Sequence, residues 1–178
     1  MSLIWHQFLY MVSITDFKYK TIDVQIERAK DKDIENILLI QKRCGLAEWS
    51  SNQYREEIDK LNSLVLVAKI DDKIAGFLTA RFVLGESDLL NIGVPAEYQK
   101  VGIGTLLIGS LLDAARKMLV ECVWLEVRES NLNAVNFYEK IGFRRVQTRK
   151  YFYTQPIENA LVMKCELQKI TSKISNKT

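Results

Sequence analysis

Gln99-Lys100-Val101-Gly102-Ile103-Gly104-Thr105 joins two kinds of sequence. Before it, residues 88–94 read as a strand closed by Pro95. After it, residues 102–120 form the longest amphipathic helical run in the chain. Glycines at such a junction let the backbone approach a ligand closely. The first N–H groups of a helix have no internal acceptors, so this helix start suits a phosphate, and Lys100 adds a cation. The same two glycines equally suit a plain tight turn into a core helix. No Gly-Lys-Ser/Thr ends the loop, so it is not a Walker A motif. A third glycine at the dinucleotide-fingerprint offset is also missing.

Moving toward the C terminus, residues 122–127 form an apolar run of the buried-strand kind, interrupted by Glu126. A carboxylate there either pairs with a cation such as Arg128 or stands buried where it can serve as a base. Residues 133–141 have helical spacing and stop at Gly142, a C-terminal cap residue. Residues 143–153 and 159–167 predict a last pair of strands around Pro156.

Toward the N terminus, residues 24–29 alternate as a strand. Asp31 or Asp33 can cap the helix that follows, and Ser50 or Ser51 can cap a second one. Residues 64–70 and 74–83 predict a hairpin turning at Asp71-Asp72-Lys73. The order β-α-α-β-β-β-α-β-α-β-β implies an α/β (α+β) sandwich, with helices on both faces of a mixed sheet of about seven strands. Residues 23–168 make one domain. Residues 1–22 are an extension, and residues 169–178 a tail that frays.

With 178 residues, 48% apolar and 26% charged, the chain matches one globular domain with a sizeable core. A net charge of +3, with basic and acidic residues interspersed, is too mild for a nucleic-acid footprint. No uninterrupted apolar stretch reaches transmembrane length. The first apolar stretch, from Ile4 to Val12, lacks a basic lead and a cleavage site, so no secretory signal is expected. Cys44, Cys122 and Cys165 are few and far apart, which favours a reducing, cytoplasmic setting and an apolar role for each. A single histidine, His6, gives a metal site or a Ser-His-Asp triad almost nothing to be built from.

Taken together, the loop and the Glu126 region resemble the GNAT superfamily of N-acetyltransferases. Gln99-Lys100-Val101-Gly102-Ile103-Gly104 is similar to that family's Q/R-x-x-G-x-G/A loop, and the resemblance runs over about residues 24–168. Within the family, several stretches resemble ribosomal-protein alanine N-acetyltransferases and the related subunits that acetylate protein N termini. They are Asn91-Ile92-Gly93-Val94, Leu125-Glu126-Val127-Arg128, Phe137-Tyr138-Glu139-Lys140-Ile141-Gly142-Phe143 and Tyr151-Phe152-Tyr153. Ala47-Glu48 before Trp49-Ser50 departs from the family's Phe-Pro.

The resemblance implies a sheet splayed open between the strands at 88–94 and 122–127, with the pantetheine arm of acetyl-CoA in the gap. It implies Glu126 as general base and Tyr138 as general acid. Ile92 and Val94 would meet the acetyl and pantetheine groups, Gly93 permitting a bulge, and Asn131 the arm. Gln99, Lys100, Val101, Gly102, Gly104 and Thr105 would hold the pyrophosphate. Tyr151 and Tyr153 would close over the acceptor, a protein N terminus such as a ribosomal-protein alanine. A small amine as acceptor, and a non-catalytic acetyl-CoA-binding module, are the alternatives.

Overall fold

The computed structural model describes residues 17–19 and 22–167; the N-terminal extension, apart from residues 17–19 and 22, and the tail lie outside the described residues. The strands are β1 (Phe17–Tyr19), β2 (Ile22–Arg28), β3 (Ser63–Ile70), β4 (Lys73–Val83), β5 (Glu86–Gly93), β6 (Cys122–Arg128), β7 (Arg144–Thr154) and β8 (Ile157–Glu166). The α-helices among the described residues are α1 (Ile34–Arg43), α2 (Ser51–Asp59), α3 (Ile103–Lys117) and α4 (Leu132–Ile141). They form one sheet in the order β1-β2-β3-β4-β5-β6-β8-β7. Every neighbouring pair is antiparallel except β5–β6, which is parallel. The strands expected from sequence all form, and short β1 extends the sheet beyond β2.

Local chemistry explains the elements. The β3–β4 hairpin turns on Asp71 and Asp72, at φ 48° and 62°. Two positive φ values match the strand twist, and Asp tolerates them. Ser50 caps α2 reciprocally: its Oγ accepts from Gln53 N at 3.3 Å, and its N–H donates to Gln53 Oε1 at 2.8 Å. Asp33 makes no side-chain cap bond to α1. Its carboxylate instead accepts from Lys30 N at 2.9 Å and closes the 3-10 turn before the helix. Gly142 ends α4 at φ 110°, as its position predicts.

The sheet carries a core on each face. Leu64 and Leu66 of β3 face α3, packing with Ile103, Leu107, Ile108 and Leu111. Val65 and Val67 face the other way, against Ile37, Ile40, Tyr54 and Phe77 under α1 and α2. Burial on both sides makes β3 a continuous apolar run rather than an alternating one. Each of these buried aliphatic side chains contributes about 1.5–3 kcal/mol relative to exposure.

The feature that positions the site is a fork. The β5–β6 ladder runs from Glu86↔Cys122 to Leu89↔Leu125 and stops. Beyond it β5 stays with β4 as far as Phe77↔Gly93, while β6 stays with β8 as far as Arg128↔Ala160. A bulge turns β5 away: Thr79 pairs Asn91 and Ala80 pairs Leu89, which leaves Leu90 extra. The bulge therefore falls at Leu90, not at Gly93. Gly93 lacks a side chain for a packing reason, since a Cβ there would sit 2.8 Å from the Phe77 ring.

Candidate active site

The floor of the fork is the start of α3. Lys100 and Gly102 both take left-handed backbone, at φ 63° and 95°, and swing the chain from the 3-10 turn Ala96–Tyr98 into the helix. The first bond of the α3 ladder runs from Leu106 N to Gly102 O at 3.0 Å. The N–H groups of Ile103, Gly104 and Thr105 precede it and have no helical acceptor. Gln99 Nε2 donates to Val94 O at 2.8 Å, tying the loop to the end of β5. Gly104 has a second reason to be glycine: its Cβ would lie 3.0 Å from Phe137 Cζ, so α3 and α4 meet there. Val101 is half-buried against the α3 core, as are Ile92 and Val94.

Strand β6 and helix α4 carry the titratable groups expected to act. Val123, Leu125 and Val127 point into the α3 core, so Glu126 projects from the opposite face. Its side chain is 32% exposed and pairs with Arg149 Nη1. The alternative that pairs Glu126 with Arg128 is thus corrected. Arg128 Nη1 bonds Glu158 Oε2 at 3.1 Å and Nη2 bonds Gln155 O at 2.8 Å, while its guanidinium lies 4.1 Å over the Tyr153 ring. Arg128 cannot reach its neighbour because it is committed to the β7–β8 turn.

Tyr138 lies on α4, only 7% exposed, with the rings of Phe137 and Phe143 5.4 and 5.7 Å away. Burial, then the nearby Tyr153, pushes its hydroxyl well above the usual tyrosine range. It therefore keeps its proton at neutral pH. Tyr153 is half-buried, and burial followed by the charge of Glu126 raises its hydroxyl too.

The β7–β8 hairpin makes the outer wall. Arg149 pairs Ala160 and Tyr153 pairs Glu158, so residues 150–152 bulge out opposite Asn159 alone. Tyr151 sits in that bulge at φ 53° and 74% exposed, its N–H donating to Asn159 Oδ1 at 3.1 Å. Glu158 Oε1 accepts from Ser130 N at 2.5 Å, and Asn159 Nδ2 donates to Glu129 Oε2 at 2.9 Å. These bonds hold the hairpin to the loop before α4. Asn131 caps that helix, its Oδ1 accepting from Ala134 N at 3.1 Å, which leaves its amide NH₂ for a ligand.

Several groups escape the sequence motifs. Asp88 on β5 has its carboxyl raised by partial desolvation, then by Glu86 and Glu126. Asn91 Nδ2, Thr79 Oγ1 and Trp124 Nε1 are buried without a hydrogen-bond partner among the described residues. Thr79 and Asn91 are register partners on the face of Phe77 and Gly93, under α1. The thiols of Cys44, Cys122 and Cys165 are all raised by burial, so none is poised as a nucleophile. Among the described residues no helix is long and apolar enough to cross a membrane.

Known proteins resemble this chain in sequence and in fold. Residues 34–143 match the acetyltransferase (GNAT) family. Over 139 residues the chain is 38% identical to the ribosomal protein bS18-alanine N-acetyltransferase of Haemophilus influenzae, covering 76% of this chain and 93% of that protein. It superposes on the crystal structure of the ribosomal-protein-S18-alanine N-acetyltransferase from Escherichia coli with a TM-score of 0.76 at 29% identity, covering 85% of this chain and 98% of that one. The fold is also that of Arabidopsis thaliana NAA60 in complex with acetyl-CoA, with a TM-score of 0.75 at 19% identity over 81% of this chain and 98% of that one.

Proposed function

This chain belongs to the GNAT family of acetyltransferases, and on that premise we propose that it moves the acetyl group of acetyl-CoA onto the α-amino group of a protein N terminus, with the alanine of ribosomal protein bS18 as the leading acceptor. The observation that carries this reading is the fork itself. Glu126 stands on its β6 arm, facing away from α3, Tyr138 is packed in the core on the α3 side, and helix N–H groups without helical acceptors start α3 beside the end of β5.

The residues present fit acetyl-CoA. Gln99, Lys100, Val101, Gly102, Gly104 and Thr105 would hold the pyrophosphate, mainly through backbone donors aided by the helix dipole. Ile92, Val94 and Asn131 would hold the pantetheine arm where β5 and β6 part. Along residues 92–94, the backbone N–H groups that point toward β6, and not those used in the ladder with β4, would be the donors to the thioester oxygen as charge develops on it.

An α-amino group has a pKa of about 7.7–8.0 and is mostly protonated at neutral pH. Glu126 takes that proton, directly or through one water, and general-base help of this kind is worth about 10²–10⁴-fold. The freed amine attacks the thioester carbon, the C–S bond breaks, Tyr138 supplies a proton to the departing sulfur, and the second proton lost by the nitrogen as the amide forms restores the Tyr138 hydroxyl, so that the net proton released is the one taken by Glu126. Tyr151 and Tyr153 flank the acceptor chain from the β7–β8 hairpin. The reaction needs no acetyl-enzyme, in keeping with the buried thiols.

The test is thiol release from acetyl-CoA with a panel of peptides and small amines. Turnover on Ala-starting peptides but not on free amines is expected. Turnover confined to a polyamine, amino sugar or amino acid would overturn the N-terminal reading and leave the chemistry. Acetyl-CoA binding without turnover on any amine would overturn catalysis itself.

A further inference from the structure

Arg149 touches the site without belonging to any motif. It lies on β7 opposite Ala160, while Glu126 lies on β6 opposite Val162, so its side chain reaches diagonally over β8. Its Nη1 binds Glu126 Oε1, and its guanidinium lies 4.4 Å from the centre of the Phe152 ring. An exposed ion pair is usually worth little because two long side chains must be held in one geometry. Here the planar guanidinium is already held by the stacked ring, so less freedom is lost on pairing. The other cation on this face of β6, Arg128, is occupied by Glu158 and the Gln155 carbonyl.

We propose that Arg149 is the positioning residue for the Glu126 carboxylate, coupling the outward bulge of residues 150–152 to the base. It engages Oε1 and leaves Oε2 for the acceptor amine or its water. Phe152 and exposed Tyr151 sit in that same bulge, so an acceptor chain settling on the hairpin bears on the residue that aims the base. The inference rests on the reading of Glu126 as base given above. Lysine, a point charge without a flat face to stack, replaces the charge but not the geometry.

The experiment is steady-state thiol release with an Ala-starting peptide for wild type, Arg149→Ala, Arg149→Lys, Glu126→Gln and the double variant Glu126→Gln/Arg149→Ala. Thermal unfolding and acetyl-CoA binding are measured beside it. Loss of a charge-assisted hydrogen bond to the base should lower kcat about tenfold in Arg149→Ala, leaving the KM for acetyl-CoA unchanged. Arg149→Lys should recover only part of that loss, and millimolar guanidinium should restore turnover to Arg149→Ala. In the double variant Arg149→Ala should cost nothing further, because its target is already gone. Full kcat in Arg149→Ala beside a crippled Glu126→Gln overturns this inference alone. The same follows if the two losses multiply, or if kcat rises when Arg149 is removed. An unimpaired Glu126→Gln overturns the base assignment, and this inference with it.

Discussion

Gly93→Ala places one methyl group where the structure has no room. The new Cβ would lie 2.8 Å from Phe77 Cε1, 3.0 Å from Ile40 Cγ2 and 3.1 Å from Leu46 Cδ1. Carbon atoms prefer about 3.5–4.0 Å, so three contacts are short at once. Phe77 and Ile40 are both buried, which leaves them little space to retreat. The backbone at Gly93 is not left-handed, so the penalty is packing alone. Overpacking of this kind costs about 1–3 kcal/mol. Taking about 2 kcal/mol, a domain of this size should lose about 4–8 °C in Tm. Thermal unfolding followed by circular dichroism measures it. Gly109→Ala is the internal control: nothing lies within 4 Å of its Cβ, and inside helix α3 the change should stabilise by about 0.5–1 kcal/mol. Relief of the clash would also push β5 and Val94 out of line, so thiol release should fall with Tm in Gly93→Ala and hold in Gly109→Ala. A Gly93→Ala Tm equal to wild type would refute the claim that this glycine is required by packing.

Two further outcomes are expected. Arg128→Ala removes the bonds to Glu158 and Gln155 O and the stack on Tyr153; stability should drop by about 1 kcal/mol. The KM for peptide should rise while that for acetyl-CoA holds, and unchanged hydrogen exchange across the β7–β8 turn would speak against it. At Glu57 burial alone would push the carboxyl up, but bonds from Arg81, Lys60 and Ser63 outweigh it and hold the group below the usual range. A carboxyl lowered in the fold stabilises above its unfolded pKa and loses that contribution as pH falls through its folded pKa. The stability gap between wild type and Glu57→Gln in urea titrations should therefore narrow as pH falls from about 5 to about 3; a constant gap contradicts the ion-pair account.

What was legible in the sequence was what depends on neighbours along the chain. The Asp71-Asp72 hairpin, the Ser50 cap, the Gly142 stop and the amphipathic run of α3 follow from local rules, and so does the order of elements along the chain; the insertion of β8 between β6 and β7 does not. The loop before α3 was legible as a helix start with free N–H groups. Sequence left open whether its glycines serve a ligand or a turn, and the structure adds a packing task for Gly104 against Phe137. Contacts that cross strands were not legible. Arg149 reaches Glu126 diagonally over β8 from the register that the bulge of residues 150–152 sets, and no spacing rule encodes that path. Arg128 looked the natural partner because it is two residues away on the same face; its commitment to the β7–β8 turn depends on how the hairpin folds back. The bulge at Leu90 was likewise hidden, since Gly93 nearby offered a more obvious residue for it.

The assignment of Glu126 as base is tested most directly by kcat at saturating acetyl-CoA and peptide in wild type and Glu126→Gln, with acetyl-CoA binding measured on both proteins. A fall of about 10²–10⁴-fold with binding intact is the predicted result. A Glu126→Gln protein that binds acetyl-CoA normally and turns over at the wild-type rate would contradict it.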